Sequence, residues 1–582
     1  MTETSELIPK GLPKGKEVVR EGRELGRTVE LGRTAWCREK NVRCDGDYKQ
    51  WCAQNGRITW QMVMGLSSVA EQVEALKYLY DWGRKTGVII DRCHVIADRR
   101  MGLPEELWHK APRGTSFMLQ SLDDYIRIAQ AAPIQPVFGD HHIGSPAAVR
   151  NTINALRAGA GYVGTVSHYY YNYPYWKDDV AQIVATVRAL GIMASKRDDG
   201  IIAQSAMADA LPSQFIDHAS IVGYARLEKY VVGELCGANY STGYGNLTRN
   251  IPVKIATWLA LYDILRADYN VVSYLNGNTI DASENLSSNY AIVTAEVVAC
   301  VNAELKYKTG VTFLLIPATE AIRVPTKEEI AEVHQVARVA QAKARDYERL
   351  LDFSYVNEIR SLLVDKGNRF FENIKRGLPE FGVDIADPVQ VLLAVRRLGT
   401  RLEELFHPGE KDKSLPRGIC PFVPTDLLEK SIDLKNEILK RVYAEGLAGA
   451  VNGKKFVAGS TDTHEFGLYV VSRVLQDLGA RVVNGGVDMD AEDVLDLAHE
   501  SATPYIVLST HNGLCLDYGR HLMALVRQRN QRVTVFLGGR LNSLVEGSTE
   551  PVDVSDRLRE LGIIPCKDVI DLIKGIAVEK RA

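Results

Sequence analysis

Asp462-Thr463-His464-Glu465-Phe466-Gly467 lies between a short strand-like run, Lys455 to Gly459, and an amphipathic run, Leu468 to Leu478. That places it on a loop joining a strand to a helix. Loops of this kind open at the carboxyl edge of a parallel sheet, where α/β domains bind their ligands. A His there can give one imidazole nitrogen to a metal, while an Asp two residues earlier holds the other nitrogen and fixes the tautomer. Gly467, lacking a side chain, lets a large flat ligand approach the backbone.

Two more strand ends downstream give the pattern its meaning. A second strand-like run, Ile506 to Leu508, ends in Ser509-Thr510-His511, and a third, Val533 to Leu537, ends in Gly538-Gly539. From about Lys454 to Ile576 the chain resembles the cobalamin-binding domain of mutases and methionine synthase, in which the motif His replaces the cofactor's own base below the cobalt. The resemblance implies that His464 is the cobalt ligand, the single metal contact, and Asp462 its partner. It also implies that Gly467 is a spacer, and that Ser509, Gly538 and Gly539 line the slot for the displaced nucleotide tail. The sequence departs from the family at His511, where Leu is usual, and at Ile563-Ile564-Pro565-Cys566, which replaces a glycine-rich last loop.

At 582 residues the chain is too long for one ordinary domain. Hydrophobic content of 46% and charged content of 25% are those of a soluble globular protein. A net charge of −3 gives no pull toward nucleic acid or anionic membrane. No apolar run is long enough to span a bilayer, and the polar stretch from Met1 to Gly22 does not read as a signal peptide, so a cytoplasmic protein is expected. Nine cysteines are scattered without a C-x-x-C pair, which argues against structural zinc and a disulfide framework; the nearest cluster, Cys37, Cys44 and Cys52, reads as ordinary thiols.

Residues 1–56 are charge-rich and carry an echo, Glu24-Leu25-Gly26-Arg27-Thr28 and Glu30-Leu31-Gly32-Arg33-Thr34. Two copies are too few for a repeat fold, so these residues read as an arm packed on the main body or on a second subunit. Over 57–350 short apolar runs alternate with amphipathic ones. Val88 to Ile90, Pro136 to Phe138, Tyr162 to Val166, Ile192 to Ala194, Val271 to Tyr274 and Val311 to Ile316 read as buried parallel strands. Ala70 to Trp82, Ala147 to Ala158 and Asp178 to Leu190 read as helices between them. Repeated β-α units predict a (β/α)8 TIM barrel with its chemistry on the loops after the strands, although a doubly wound sheet gives a similar string. Thr326 opens a long helix with a capping box, and more helices fill 351–406. The breaker-rich stretch from His407 reads as a linker, followed by a bridging helix from Asp426 to Glu445; 407–453 thus leads to the last domain, 454–582, whose alternation suits a flavodoxin-like (Rossmann-like) α/β fold.

Between about 55 and 345 the chain resembles the barrel of glutamate mutase and its relative 2-methyleneglutarate mutase, both adenosylcobalamin-dependent. The resemblance is carried by Tyr171-Asn172-Tyr173-Pro174-Tyr175 and by Glu320-Ala321-Ile322-Arg323-Val324-Pro325-Thr326-Lys327, with Gly245-Asn246, Gly144-Ser145-Pro146, Ala158-Gly159, and Gln61 with Gly65 in step. It implies that Tyr171 and Tyr175 lie against the substrate, that Arg100 anchors one carboxylate, and that Glu320 faces the ribose of the adenosyl group; Gly65 and Asn246 fall among the cofactor-side positions. Two further arginines of the family fall at Val63 and at His142 or its neighbour, its Lys at Ile316, and the Glu that receives the substrate ammonium at Thr165. A buried ammonium without a partner is costly, so glutamate is disfavoured and 2-methyleneglutarate favoured.

Asp140, His141 and His142 also resemble metal ligands, but adjacent side chains on a strand end point opposite ways, so one of the two histidines is expected to face the substrate. The resemblance implies a radical isomerase that rearranges a small branched or unsaturated dicarboxylic acid, with the cofactor between barrel mouth and last domain, in a homodimer or homotetramer. A corrinoid methyltransferase lacks support, since the segment before the last domain is too short for a four-helix cap. A cobalamin sensor lacks a basic recognition helix. For an aminomutase using pyridoxal phosphate, no lysine is identified.

Overall fold

The computed structural model describes residues 7–111, 113–114, 116–266, 272–412, 415–462, 466–511, 513–543, 545 and 552–579. The chain forms two compact units, Met1–Asp426 and Leu427–Ala582.

The first unit is a closed barrel of eight parallel strands: β1 (Thr59–Met64), β2 (Arg92–Val95), β3 (Gln135–Phe138), β4 (Tyr162–Val163), β5 (Ile202–Ala206), β6 (Asn239–Tyr244), β7 (Val272–Asn276) and β8 (Thr312–Leu315). The barrel closes where Thr59 to Met62 of β1 pair with Thr312 to Leu315 of β8. Successive side chains point to opposite faces of a strand. Val137, Tyr162 and Ile202 form one small cluster, and Val63, Tyr274, Leu314 and Ile316 another, both separate from the main core; these fill the barrel interior. The intervening residues, such as Trp60, Met62, Ala203 and Phe313, join the large core shared with the surrounding helices.

Two strand expectations need correction. Ile192–Ala194 is the last turn of the helix Asp179–Ala194. That turn is buried by the arm helix Gly15–Arg27, where a Cβ on Gly191 would lie 2.5 Å from the Val19 carbonyl. A helix covered on all sides is apolar all round, which hides its periodicity. Val88–Ile90 is a loop, and β2 begins at Arg92. β2 is a strand whose inward residues are charged or polar, so the apolar run stops just before it.

The described part of the arm packs on the barrel. Gly15 N donates to Asp387 Oδ2 (2.8 Å), and Arg188 pairs with Glu21. The helix Asp45–Gln54 closes the amino end of the barrel: Lys49 Nζ donates to the Ser273 carbonyl (2.6 Å), and Asp45 pairs with Arg92 Nε (3.3 Å). Asp45, Lys49 and Arg92 are at most 1% exposed. The described residues of 407–425, read from sequence as a linker, are fastened to this unit. The Asp217 carboxylate accepts from Phe422 N (2.8 Å), Val423 N (3.1 Å) and Ala219 N (3.0 Å) and lies 2.8 Å from His407 Nε2.

The second unit is a five-stranded parallel sheet in the order β10-β9-β11-β12-β13, with β9 (Lys455–Ser460), β10 (Arg481–Gly486), β11 (Tyr505–Thr510), β12 (Thr534–Gly539) and β13 (Ile564–Cys566). This is the flavodoxin-like 2-1-3-4-5 order. Alternation along β9 divides the core: Phe456 and Ala458 join the cluster with Val474 and Ile573, while Val457 joins that with Val494 and Leu522 on the other face. No helix among the described residues is long and apolar enough to cross a membrane.

Candidate functional site

In a 2-1-3-4-5 sheet the chain reverses direction of travel between its first and third strands, and the crevice outside their carboxyl ends is where ligands bind. Here that switch point lies between β9 and β11. Asp462, on the loop after β9, is 2% exposed. Its Oδ2 accepts the backbone N–H of His511 (2.5 Å), and its carbonyl accepts that of Asp488 (2.9 Å). Thr461 N donates to the Ser509 carbonyl (2.9 Å), tying the two loops together. His464 lies outside the described residues. Gly467 opens the helix Phe466–Asp477, and a Cβ there would collide with Ser509 Oγ, so a bare Cα is what lets this serine occupy the crevice. Gly538 and Gly539 end β12 beside Ser509 and Thr510, and Gly539 takes a left-handed φ of 99°. Thr510 Oγ1 is buried with no hydrogen-bond partner among the described residues.

A buried carboxylate, an unpartnered hydroxyl and a glycine-rich strand end thus surround one sheet-edge crevice. They suit a bulky group with polar substituents. The family described as B12 binding domain matches residues 457–554.

Residues 457–554 are a B12-binding domain.

The B12-binding domain covers the switch point and all the residues just described, and cobalamin binding is therefore assigned to the second unit. Among solved structures, a novel cobalamin-binding protein from Desulfitobacterium hafniense DCB-2 is 19% identical, over 22% of this chain and 58% of that one, with a TM-score of 0.18, too low to speak for a shared fold. A search of curated proteins finds no match.

At the carboxyl mouth of the barrel, imidazoles, carboxylates and phenols gather. His94 Nε2 lies 3.4 Å from Asp140 Oδ1, and His168 Nε2 lies 2.8 Å from Asp209 Oδ2. His168 Nδ1 accepts the backbone N–H of His141 (3.3 Å), so the proton of a neutral His168 sits on Nε2 and points at Asp209. Tyr171 OH donates to the other oxygen of Asp209, and its ring lies over His168 at 4.4 Å. His141 Nδ1 is 2.9 Å from Tyr173 OH, and His141 itself takes a left-handed φ of 62°, unusual for a side chain of this size.

Burial alone would push the Asp140 carboxyl up, but the hydrogen bond of His94, and after it the attraction to the rings of His94, His168 and His141 when these are protonated, hold it below the ordinary range. Asp209 is likewise lowered, burial being outweighed first by His168 and then by Tyr171. Burial depresses His141 to about 3 and His142 to about 4, so both are neutral at pH 7.

The structure separates the residues expected from sequence. His141 and Tyr171 face this cluster. His142 turns into the core, its ring 5.6 Å from Tyr125 and 5.7 Å from Phe138, with Nδ1 donating to the Asp140 carbonyl (2.6 Å). Tyr175 is half exposed on its loop. Arg100 holds Asp98 with two arms, Nε to Oδ1 (3.0 Å) and Nη2 to Oδ2 (2.9 Å). Glu320 is exposed on the loop after β8, where its N–H donates to the Pro317 carbonyl (3.1 Å). Gly65 follows β1, where a Cβ would meet the Ile96 carbonyl at 2.7 Å, and Asn246 follows β6, its carbonyl accepting Thr279 N (3.0 Å). Among the described residues no group of three or more His, Cys, Asp or Glu is placed to hold a metal ion.

Sequence reasoning missed His94, Asp98, His168 and Asp209. The signal was present for His168, which follows the strand-like run Tyr162 to Val166 by two residues, on the face of the barrel where chemistry is built.

Proposed function

We propose that the protein is an adenosylcobalamin-dependent radical isomerase, a carbon-skeleton mutase of the glutamate mutase or 2-methyleneglutarate mutase type. Its proposed substrate is a small branched or unsaturated dicarboxylic acid, with 2-methyleneglutarate to 3-methylitaconate the best match. The observation that carries this reading is the union, in one chain, of a B12-binding domain with a closed parallel barrel whose carboxyl mouth gathers polar groups around His141 and Tyr171.

When bound, adenosylcobalamin supplies the radical chemistry, and the protein supplies binding, orientation and exclusion of water. His464 is the proposed cobalt ligand, with Asp462 behind it and Gly467, Ser509, Gly538 and Gly539 holding the tail; Gly65, Asn246 and Glu320 are assigned to the adenosyl side. In the barrel, neutral His141 orients the substrate by a hydrogen bond and Tyr171, its proton held by Asp209, borders it with its ring, with Tyr175 on the same loop. Arg100 anchors a carboxylate through Nη1, since Nε and Nη2 already hold Asp98. Asp209, accepting from His168 and Tyr171, keeps the Tyr171 phenol fixed in one direction. A homodimer or homotetramer in the cytoplasm completes the proposal.

The test is spectroscopic. His464→Ala is expected to weaken adenosylcobalamin binding and to abolish the base-off absorption spectrum of the bound cofactor, and an unchanged spectrum would refute the ligand assignment. Wild-type protein with adenosylcobalamin and a panel of branched and unsaturated dicarboxylates should give an electron paramagnetic resonance signal and an isomerised product with at least one member.

A further inference from the structure

The barrel interior holds a belt of polar groups that the mouth cluster does not use. Both amide atoms of Gln61, both of Gln204, Ser241 Oγ and His94 Nδ1 are buried with no hydrogen-bond partner among the described residues. Gln61, Gln204 and Ser241 are fully buried and His94 is 5% exposed. All four share the inward face. Gln61 precedes Val63 by two residues on β1, and Val63 is the register partner of His94; Gln204 follows Ile202 by two on β5 and is the register partner of Ser241 on β6.

Each such orphaned group costs about 1–3 kcal/mol when nothing satisfies it. Barrel packing does not demand polarity at this depth, because Val137, Ile202 and Leu314 fill neighbouring inward positions with hydrocarbon. The interior is also sealed below by Asp45, Lys49 and Arg92, so a ligand of the belt would have to enter from the carboxyl mouth.

We propose that Gln61, Gln204 and Ser241 form the seat for one carboxylate of the substrate inside the barrel, on neutral donors, while Arg100 takes the other at the rim. This rests on the dicarboxylic acid reading and answers how a second carboxylate is held when Val63 stands where an arginine would. The two carboxamide NH2 groups and the serine hydroxyl donate to the carboxylate oxygens. Neutral donors avoid burying a further cation beside the Arg92–Lys49 pair below.

The test uses the full chain with hydroxocobalamin bound and two probes, glutarate and butyrate, titrated by calorimetry. Wild type is expected to bind glutarate at least about tenfold more tightly than butyrate, as hydrogen bonds to a charged group warrant. Gln204→Leu, Gln61→Leu and the near-isosteric Ser241→Ala should each shrink that preference while melting at or above the wild-type temperature, because each removes an orphaned polar group. Undiminished preference in all three variants would overturn the seat and assign the belt to internal water. If wild type binds neither probe, the dicarboxylic acid reading itself falls, and the seat with it.

Discussion

His142 carries a titration that the mouth chemistry does not need. Its unfolded value lies near 6.5 and its folded value at about 4, because burial between Tyr125 and Phe138 disfavours the charged ring. Below 6.5 the unfolded chain takes up a proton that the native one refuses, so stability is lost as pH falls from 6.5 toward 4. His142→Asn keeps a donor near the Nδ1 position for the Asp140 carbonyl but does not titrate. Between pH 7 and 5 wild type should therefore lose about 2 kcal/mol more stability than this variant, read from urea melts of the barrel unit at both pH values. Equal losses would mean that the ring is solvated. His141 sits one residue away and is depressed still further, yet it faces the mouth, and its left-handed backbone is what turns adjacent imidazoles to opposite sides of the strand end.

Among elements, the segment 407–425 departs furthest from its appearance in sequence. His407, Pro408 and Gly409 read as a flexible connection, but one buried carboxylate, Asp217, collects two backbone N–H groups of the segment and an imidazole, and Thr425 N donates to the Ile216 carbonyl (3.0 Å). Asp217→Ala would leave these donors buried and unmatched, a loss of about 3–5 kcal/mol. Limited proteolysis should find 407–425 resistant in wild type and cleaved in the variant. Such a strap is not legible in sequence, because its anchor lies some 190 residues upstream. The same limit explains the barrel strands. Where hydrocarbon occupies consecutive positions, as over Pro136–Phe138 of β3 and Phe313–Leu315 of β8, the strand stands out as an apolar run. β1, β5 and β6 carry Gln61, Gln204 and Ser241 on their inward faces and do not. Because β5 went unseen, the loop after it went unexamined, and Asp209 with it. In the second unit both faces of the sheet are apolar, and the strands read from sequence lie on those observed.

At the scale of the whole molecule, each unit has a core of its own, that of the barrel with its helices and that on the two faces of the five-stranded sheet. Two calorimetric transitions are therefore expected, and hydroxocobalamin, which lacks the adenosyl group assigned to barrel residues, should raise only that of the second unit, by about 2.7 kcal/mol at a concentration one hundred times its dissociation constant. A shift of the barrel transition alone would place the cofactor elsewhere. The plug of Asp45, Lys49 and Arg92 has a further meaning for traffic. A vessel stoppered at its foot has a single doorway, so whatever enters must leave by turning back. For the proposed isomerase, product and fresh reactant would then compete for the same threshold, and added product is expected to inhibit competitively rather than clear through a rear exit.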